Sequence, residues 1–474
     1  MEPIEAAMEE EPALFMLSSE MVAKIFTQAG RFLYMWRTCR HLRTIALATA
    51  AEKGCQVKLS LRMDPRTTPS LLPLHPDVYA NLVRQFKWFQ VSIGPPHLRQ
   101  VLQNFENLRS LHISFATMTT QVLLLSTADV LTGLVKLILP HNTFSDARHP
   151  MSLSTIIRCT TNLQALDLSH NTFTSYGATQ LAESLKFTTS LREIHLSGNH
   201  IENLGLQAIV KQFGSVRSLE KLHLADCRLT DQSLQHIAMS CTSLGLKLRG
   251  LDLGYNGITS QGLKFFSKGS WTSSLEELVL RCGMGASDES GAQVLASAFE
   301  HMPNLRTLDL GGNHQDNQGT VIIAHQLWRL SKLTTLWLET NDNGASGMMK
   351  IAEVLEHHPR LRSLTLSHNG IINQTSATAI AARLSQLTEL SSVCLFDDDD
   401  EPMGYVCMRA IIISLSRLES LRVVALRRIR MLSESDVRRI LLDCDANASC
   451  ICDMLRERLN ELLEAQSSVD GGVV

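Results

Sequence analysis

The chain has 474 residues, 44% of them apolar, with a formal net charge of −3 and 11 cysteines. That charge balance gives no electrostatic ground for nucleic acid or an acidic membrane as a partner. No run of about 18 apolar residues is present, so no membrane span is expected. An odd number of scattered cysteines fits a reduced chain in which they are structural.

Residues 1–12 are acidic, carry proline and lack the basic and apolar regions of a secretory leader. Disorder is expected there, and a cytoplasmic or nuclear location for the protein. Residues 13–52 hold two helical patterns. Ser18 or Ser19 is placed to cap a helix whose face is Met21, Val22, Ile25 and Phe26. Phe32, Leu33, Trp36, Cys39, Leu42 and Ile45 mark a second, with Arg37, Arg40 and Arg43 opposite. Helices this short cannot hold a core alone and need a surface to pack on.

Residues 53–107 are expected to cap the array that follows. Val57 to Leu61 alternates as a first strand. Four prolines between Asp64 and Pro76 exclude a helix. A degenerate first unit is placed at Phe86, Phe89 and Val91, with Trp88 and Ile93 also in its core.

From 108 to 432 one frame returns. Leu163, Leu166, Leu168 and Asn171 repeat as Leu191, Ile194, Leu196 and Asn199, then as Leu219, Leu222, Leu224 and Cys227. First leucines fall at 108, 134, 163, 191, 219, 248, 275, 305, 333, 361, 390 and 421, so the period is 26–31 residues. Leu-x-x-Leu-x-Leu-x-x-Asn/Cys is the leucine-rich-repeat signature. Its x-Leu-x-Leu core predicts a short strand with leucines inward, and the ninth residue turns the chain. Helices follow at Gly177–Leu185, Gly319–Leu327 and Gly347–Leu355. No unit can bury its leucines alone, so the units must stack.

Two places depart from the frame. Gly283 stands where Asn is expected and predicts a local loosening towards Gly291. Asp397 to Glu401 makes an acidic loop, for which Arg427, Arg428 and Arg430 of the next unit are the expected partners. Residues 433–465 predict a helical cap: a helix from Ser433 to Cys444, capped by Ser433 or Ser435, then an amphipathic helix from Met454 to Ala465. Residues 466–474 are expected to be loose. Cys444, Cys450 and Cys452 lack the fourth ligand and the spacing of a zinc site.

No catalytic signature, phosphate loop or metal motif is present, so no enzyme activity, cofactor or metal is expected. Candidate function lies on the strands. The fifth position of successive units reads His112, Ile138, Asp167, His195, His223, Asp252, Val279, Asp309, Trp337 and Thr365. Parallel stacking makes these a ladder on one face. Asp167, His195, His223, Asp252, Arg281, Asp309, Trp337 and Glu339 are the candidate partner-binding residues, Trp337 foremost because exposed tryptophan is enriched at binding hot spots.

Long units with a full helix resemble the ribonuclease-inhibitor-like leucine-rich repeats. That resemblance implies an α/β solenoid in the form of a horseshoe, with parallel strands on the concave face and helices on the convex face, behind a small all-α N-terminal segment. Leu17, Glu20, Ile25 and Phe26, followed by Cys39 and Arg43, resemble an F-box, although Ser18 stands for its usual Pro and Leu42 for its usual Trp. Together the two features resemble the F-box leucine-rich-repeat proteins. This implies a substrate receptor of a Skp–cullin–F-box ubiquitin ligase. Leu17, Met21, Ile25, Phe26, Cys39 and Leu42 would dock the adaptor subunit, and the concave face would hold a substrate protein. The alternative is a scaffold subunit of a larger assembly, cytoskeletal or axonemal, with the N-terminal helices only a cap. A Ran-type GTPase-activating protein shares the repeat class, but no loop here carries its matching arginine.

Overall fold

In each repeat the two inner leucines flank one outward residue, and the turn follows at once, so the strand is only about three residues long. A computed structural model describes residues 57–62, 83–89, 108–114, 131–142, 150–283, 289–313, 316–369, 373–395, 405–425, 432–444 and 449–470. The F-box-like segment 13–52, the acidic stretch Asp397 to Glu401 and Arg427, Arg428 and Arg430 lie outside these residues. The chain divides into two compact units, Met1–Thr172 with Glu183–Leu191, and Phe173–Ala182 with Arg192–Val474.

In the first unit β1 (Val57–Arg62), β2 (Val83–Phe89), β3 (Ser110–Ser114), β4 (Lys136–Ile138) and β5 (Ala165–Asp167) pair in parallel and in chain order. Helix α1 (Pro150–Cys159) connects β4 to β5. The register corrects the expected frame of the degenerate unit. Phe86 pairs with Leu111 and Trp88 with Ile113, the two inward positions of the 108 unit. The frame is therefore Val83, Phe86 and Trp88, three residues earlier than Phe86, Phe89 and Val91. Strand pairing, which fixes the register position of each residue, overrides the apolar run that suggested the later frame.

In the second unit β6 (Glu193–His195), β7 (Lys221–His223), β8 (Gly250–Asp252), β9 (Glu277–Val279), β10 (Thr307–Asp309), β11 (Thr335–Trp337), β12 (Ser363–Thr365), β13 (Ser392–Cys394) and β14 (Val423–Ala425) pair in the same way. Helix α2 (Ser175–Leu185) precedes β6, and its residues divide between the two units. Strands then alternate with α3 (Glu202–Lys211), α4 (Asp231–Leu244), α5 (Ser260–Leu263), α6 (Glu289–Ala298), α7 (Asp316–Leu327), α8 (Gly344–Leu355), α9 (Gln374–Leu384) and α10 (Tyr405–Ser416). The chain folds as an α/β leucine-rich-repeat solenoid. Leu222, Leu251, Leu278, Leu308, Leu336 and Leu364 are all fully buried, as are helix residues such as Ile237, Ile351 and Ile380. Each such side chain contributes about 1.5–3 kcal/mol by leaving water.

The ninth residue links neighbours. Asn341 Nδ2 donates to the Leu310 carbonyl of the preceding unit and to Leu338 of its own, while its Oδ1 accepts the Asn313 N–H. Asn369, Asn313 and Asn256 repeat this carbonyl pairing. Cys227, in the same place, donates its thiol to Leu196 O at 3.2 Å. Of the stretch expected to loosen, Gly283 itself is held in place, while 284–288 lie outside the described residues. The Gly283 N–H is held by Asn313 Oδ1, and a Cβ there would meet Leu253 O at 2.9 Å. Backbone carbonyls crowd the site, so glycine fits where a side chain would not.

The eighth residue of the repeats lies in the left-handed region, from His141 and His170 through Tyr255, Cys282 and Thr340 to His368, with φ between 44° and 56° at these positions. This turn aims the eighth N–H at the next unit's seventh carbonyl, as in Tyr255 to Arg281 and Thr340 to Ser367.

Two helices follow β14. Ser433 caps α11 (Glu434–Asp443) in a reciprocal capping box with Asp436. The final helix, α12 (Ser449–Asp470), is longer than expected at both ends and takes in Gln466 to Asp470, which the sequence assigned to a loose tail. Among the described residues no helix is long and apolar enough to cross a membrane.

Candidate functional site: the open face of the strands

Strand alternation sends positions four and six of each repeat into the core and leaves positions three, five and seven on the face that no helix covers. In the first unit this face carries His112, Ile138 and Asp167, in register. His112 Nε2 lies 2.8 Å from Ser114 Oγ. Asp167 is occupied locally: its Oδ1 accepts from the Ser169 N–H and hydroxyl.

The larger array lies in the second unit. His195, His223, Asp252, Val279, Asp309, Trp337 and Thr365 are successive rungs. The His195 and His223 rings stack with centroids 4.1 Å apart and planes 10° from parallel. Glu193 flanks the stack at 3.9 Å from His195 Nε2, and Asp252 at 3.8 Å from His223 Nδ1. His223 Nε2 is buried without a hydrogen-bond partner. Asp252 and Asp309 each accept the N–H of the residue two further on, Gly254 and Gly311, as Asp167 does from Ser169. A fifth-position carboxylate is thus oriented by its own strand end.

Arg281, Asp309 and Glu339 form one cluster. Arg281 Nε donates to Asp309 Oδ2 at 3.0 Å, and Nη2 donates to Glu339 Oε1. Asp309, expected on the exposed surface, is instead only 2% exposed, because Arg281 lies across it. Burial works to lower the pKa of Arg281, but the hydrogen bond to Glu339 and the charges of Asp309 and Glu339 outweigh it and raise it. Burial raises the carboxyl pKa of Asp309, which the Gly311 N–H and Arg281 oppose. The two shifts pull in opposite senses on whether the pair is ionised. The geometry decides it: guanidinium N–H groups aimed at both carboxylates make a charged cluster of one cation and two anions.

Two glycines make room for long-range pairs. A Cβ on Gly311 would meet the Arg281 guanidinium at 3.0–3.1 Å, so its absence lets Arg281 cross the intervening repeat to Glu339. A Cβ on Gly250 would meet Lys221 Cγ at 3.2 Å, and Lys221 crosses that repeat to Glu277 at 3.8 Å. Trp337, half-buried, donates its indole N–H to Ser363 Oγ at 3.0 Å. Sequence reasoning named Arg281, Asp309, Trp337 and Glu339 on this face but not Glu193, Lys221 or Ser363, and none of these pairings, which depend on side chains reaching across one or two repeats. It also missed an ion-pair row at the second position: Arg192, Glu220, Arg249, Glu276 and Arg306 alternate in sign and bridge in series. The signal was legible by reading down the second column of the frame.

The adaptor-docking candidates Leu17, Met21, Ile25, Phe26, Cys39 and Leu42 lie outside the described residues. Among the described residues no group of three or more His, Cys, Asp or Glu side chains is arranged to hold a metal ion. The face presents polar, charged and aromatic side chains at fixed spacing.

A family model, the MHP1/HER1/GIP3 LRR domain, matches residues 142–369. That match spans β5 to β12 and with them the candidate rungs from Asp167 to Trp337. No curated protein matches the chain.

Proposed function

We propose that this chain is a protein-interaction module that holds a partner on the open strand face of its second unit, and that it serves as an F-box-type substrate receptor of a Skp–cullin–F-box ubiquitin ligase. Leucine-rich-repeat domains generally act as non-enzymatic interaction scaffolds, and residues 142–369 match a domain of this type. The observation that carries the reading is the uncovered row from His195 to Thr365, in which a half-buried tryptophan stands among ordered charges. Aromatic residues fixed among positioned polar groups are what interface hot spots are made of. The receptor role is supported by Leu17, Glu20, Ile25, Phe26 and Cys39, which follow the F-box pattern. The mechanism would be proximity: a target held beside a conjugating enzyme, with no bond made or broken by this chain.

The test is binding of the full chain to the purified adaptor subunit of such ligases. The expected result is a stable complex that L17A/I25A abolishes and W337A leaves intact. Absence of any complex, or a complex indifferent to L17A/I25A, would reject the receptor role. The scaffold alternative would then account for the same face.

A further inference from the structure

We infer that the open face of the second unit takes a basic segment of its partner protein, and that an arginine or lysine of that segment seats between the Trp337 ring and Glu339. This deepens the reading of that face as a binding surface and rests on it. Four observations converge.

The first is charge. From β6 to β12 the face carries Glu193, Asp252, Glu277, Asp309 and Glu339 against only Lys221 and Arg281. Five carboxylates face two cations, while the whole chain is at −3 across 474 residues. A surface of this sign selects a partner of the opposite sign.

The second is how the two cations are spent. Lys221 is drawn to Glu277, and Arg281 is shared between Asp309 and Glu339. The Arg281 cluster therefore keeps one negative charge in excess. Its surplus falls on Glu339, since Asp309 already has both oxygens engaged, one by the Gly311 N–H and one by Arg281.

The third is an atom. Glu339 Oε2 is buried and has no hydrogen-bond partner, while Oε1 takes Arg281. A carboxylate oxygen withdrawn from water with nothing donating to it is costly unless a donor arrives. A partner's guanidinium or ammonium supplies that donor and the missing charge together.

The fourth is the aromatic beside it. Glu339 lies two residues past Trp337, just beyond the end of β11, and Leu338 between them is buried, so the extended chain places Trp337 and Glu339 on the same open face, about 6.6 Å apart along it. The Trp337 indole is tethered by Ser363, which fixes where its ring lies. Arg281, on the Oε1 side of Glu339, makes no cation–π contact with this ring, and we place the partner's cation on the Oε2 side, beside indole, the best of the aromatic cation acceptors.

The experiment uses the full chain and labelled oligo-arginine, oligo-lysine and oligo-glutamate peptides, with affinity read by fluorescence anisotropy at physiological salt. The basic peptides are expected to bind and the acidic one not. E339Q and W337A should each weaken binding by about tenfold or more. E353Q, which removes the same charge from the outer surface of α8, should leave it unchanged. Circular dichroism and the unfolding midpoint establish that each variant is folded. W337A, which removes no charge from the Arg281 cluster, decides the matter if E339Q proves unstable. No binding of either basic peptide, or binding that E353Q weakens as much as W337A and E339Q do, would overturn the inference. If a photo-cross-linker at Thr365 still captures a partner in cells while the basic peptides fail to bind, the interaction reading stands and this inference alone falls.

Discussion

At the scale of single residues, the repeat frame explains why a position demands what it does, and a position that breaks the frame becomes a sharp test. His358 is such a position. Three residues before a first leucine, neighbouring repeats place Leu330 and Leu387, and His358 is as buried as they are. Neither ring nitrogen has a hydrogen-bond partner. Burial, with the charge of His357 beside it, pushes its pKa down to about 4. The sign follows from linkage. Above about pH 6.5 the ring is neutral in both folded and unfolded states and contributes no pH dependence. Between there and about 4 only the unfolded state binds the proton, so stability falls with falling pH by about 1.4 kcal/mol per unit, to about 3 kcal/mol in all. His358→Leu should remove that slope and raise stability, more at pH 5 than at pH 7.5, in denaturant titrations. An unchanged slope would show that the ring is accessible. Thr340 offers a second test. It is β-branched yet held at φ 56°, so Thr340→Gly should stabilise by about 1 kcal/mol, read the same way. The cysteines give a third. The buried thiols of Cys227 and Cys241 are pushed up to about 12 by desolvation, whereas Cys282 is exposed. Iodoacetamide at pH 8 should label Cys282 and spare the other two until the chain unfolds.

At the scale of elements, charge pairs of two kinds can be separated by burial. The second-position row from Arg192 to Arg306 is exposed, and its bridges are screened by water. Arg249→Ala should therefore change stability by less than about 1 kcal/mol. The Arg281 cluster is different, because removing the cation strands the buried Asp309 carboxylate. Arg281→Met should cost about 3–5 kcal/mol, and Asp309→Leu added to it should restore much of that loss. A double-mutant cycle by denaturant unfolding measures this, and equal small losses for Arg249→Ala and Arg281→Met would contradict it. The elements also mark how far sequence reading reaches. Strand existence, spacing and helix placement in the second unit were legible because a leucine frame leaves a mark at each turn. The first unit was misframed by three residues, because Val83, Phe86, Trp88, Phe89 and Val91 give two overlapping apolar patterns that only strand pairing separates. Within the candidate site, the rungs were legible from position five. The burial of Asp309 was not, because it depends on Arg281 crossing Gly311, a relation between three repeats.

At the scale of the whole chain, function follows from repetition. Each repeat adds one strand with inward leucines and one outward column, so the chain gains an ordered surface without a single closed core. Stability then resides in repeat-to-repeat contacts: the Asn side chains that bridge neighbouring carbonyls and the leucines between them. What the array displays is a surface of fixed spacing, and its proposed role requires that a partner meet it there. The direct measurement is photo-cross-linking in living cells from two positions of the full chain, Thr365 on the open strand face and Met239 on the exposed side of α4. A discrete protein adduct from Thr365, lost when Trp337→Ala is added and never formed from Met239, is the result expected. Adducts from Met239 alone, or adducts from Thr365 that are indifferent to Trp337, would place the binding surface elsewhere and contradict it.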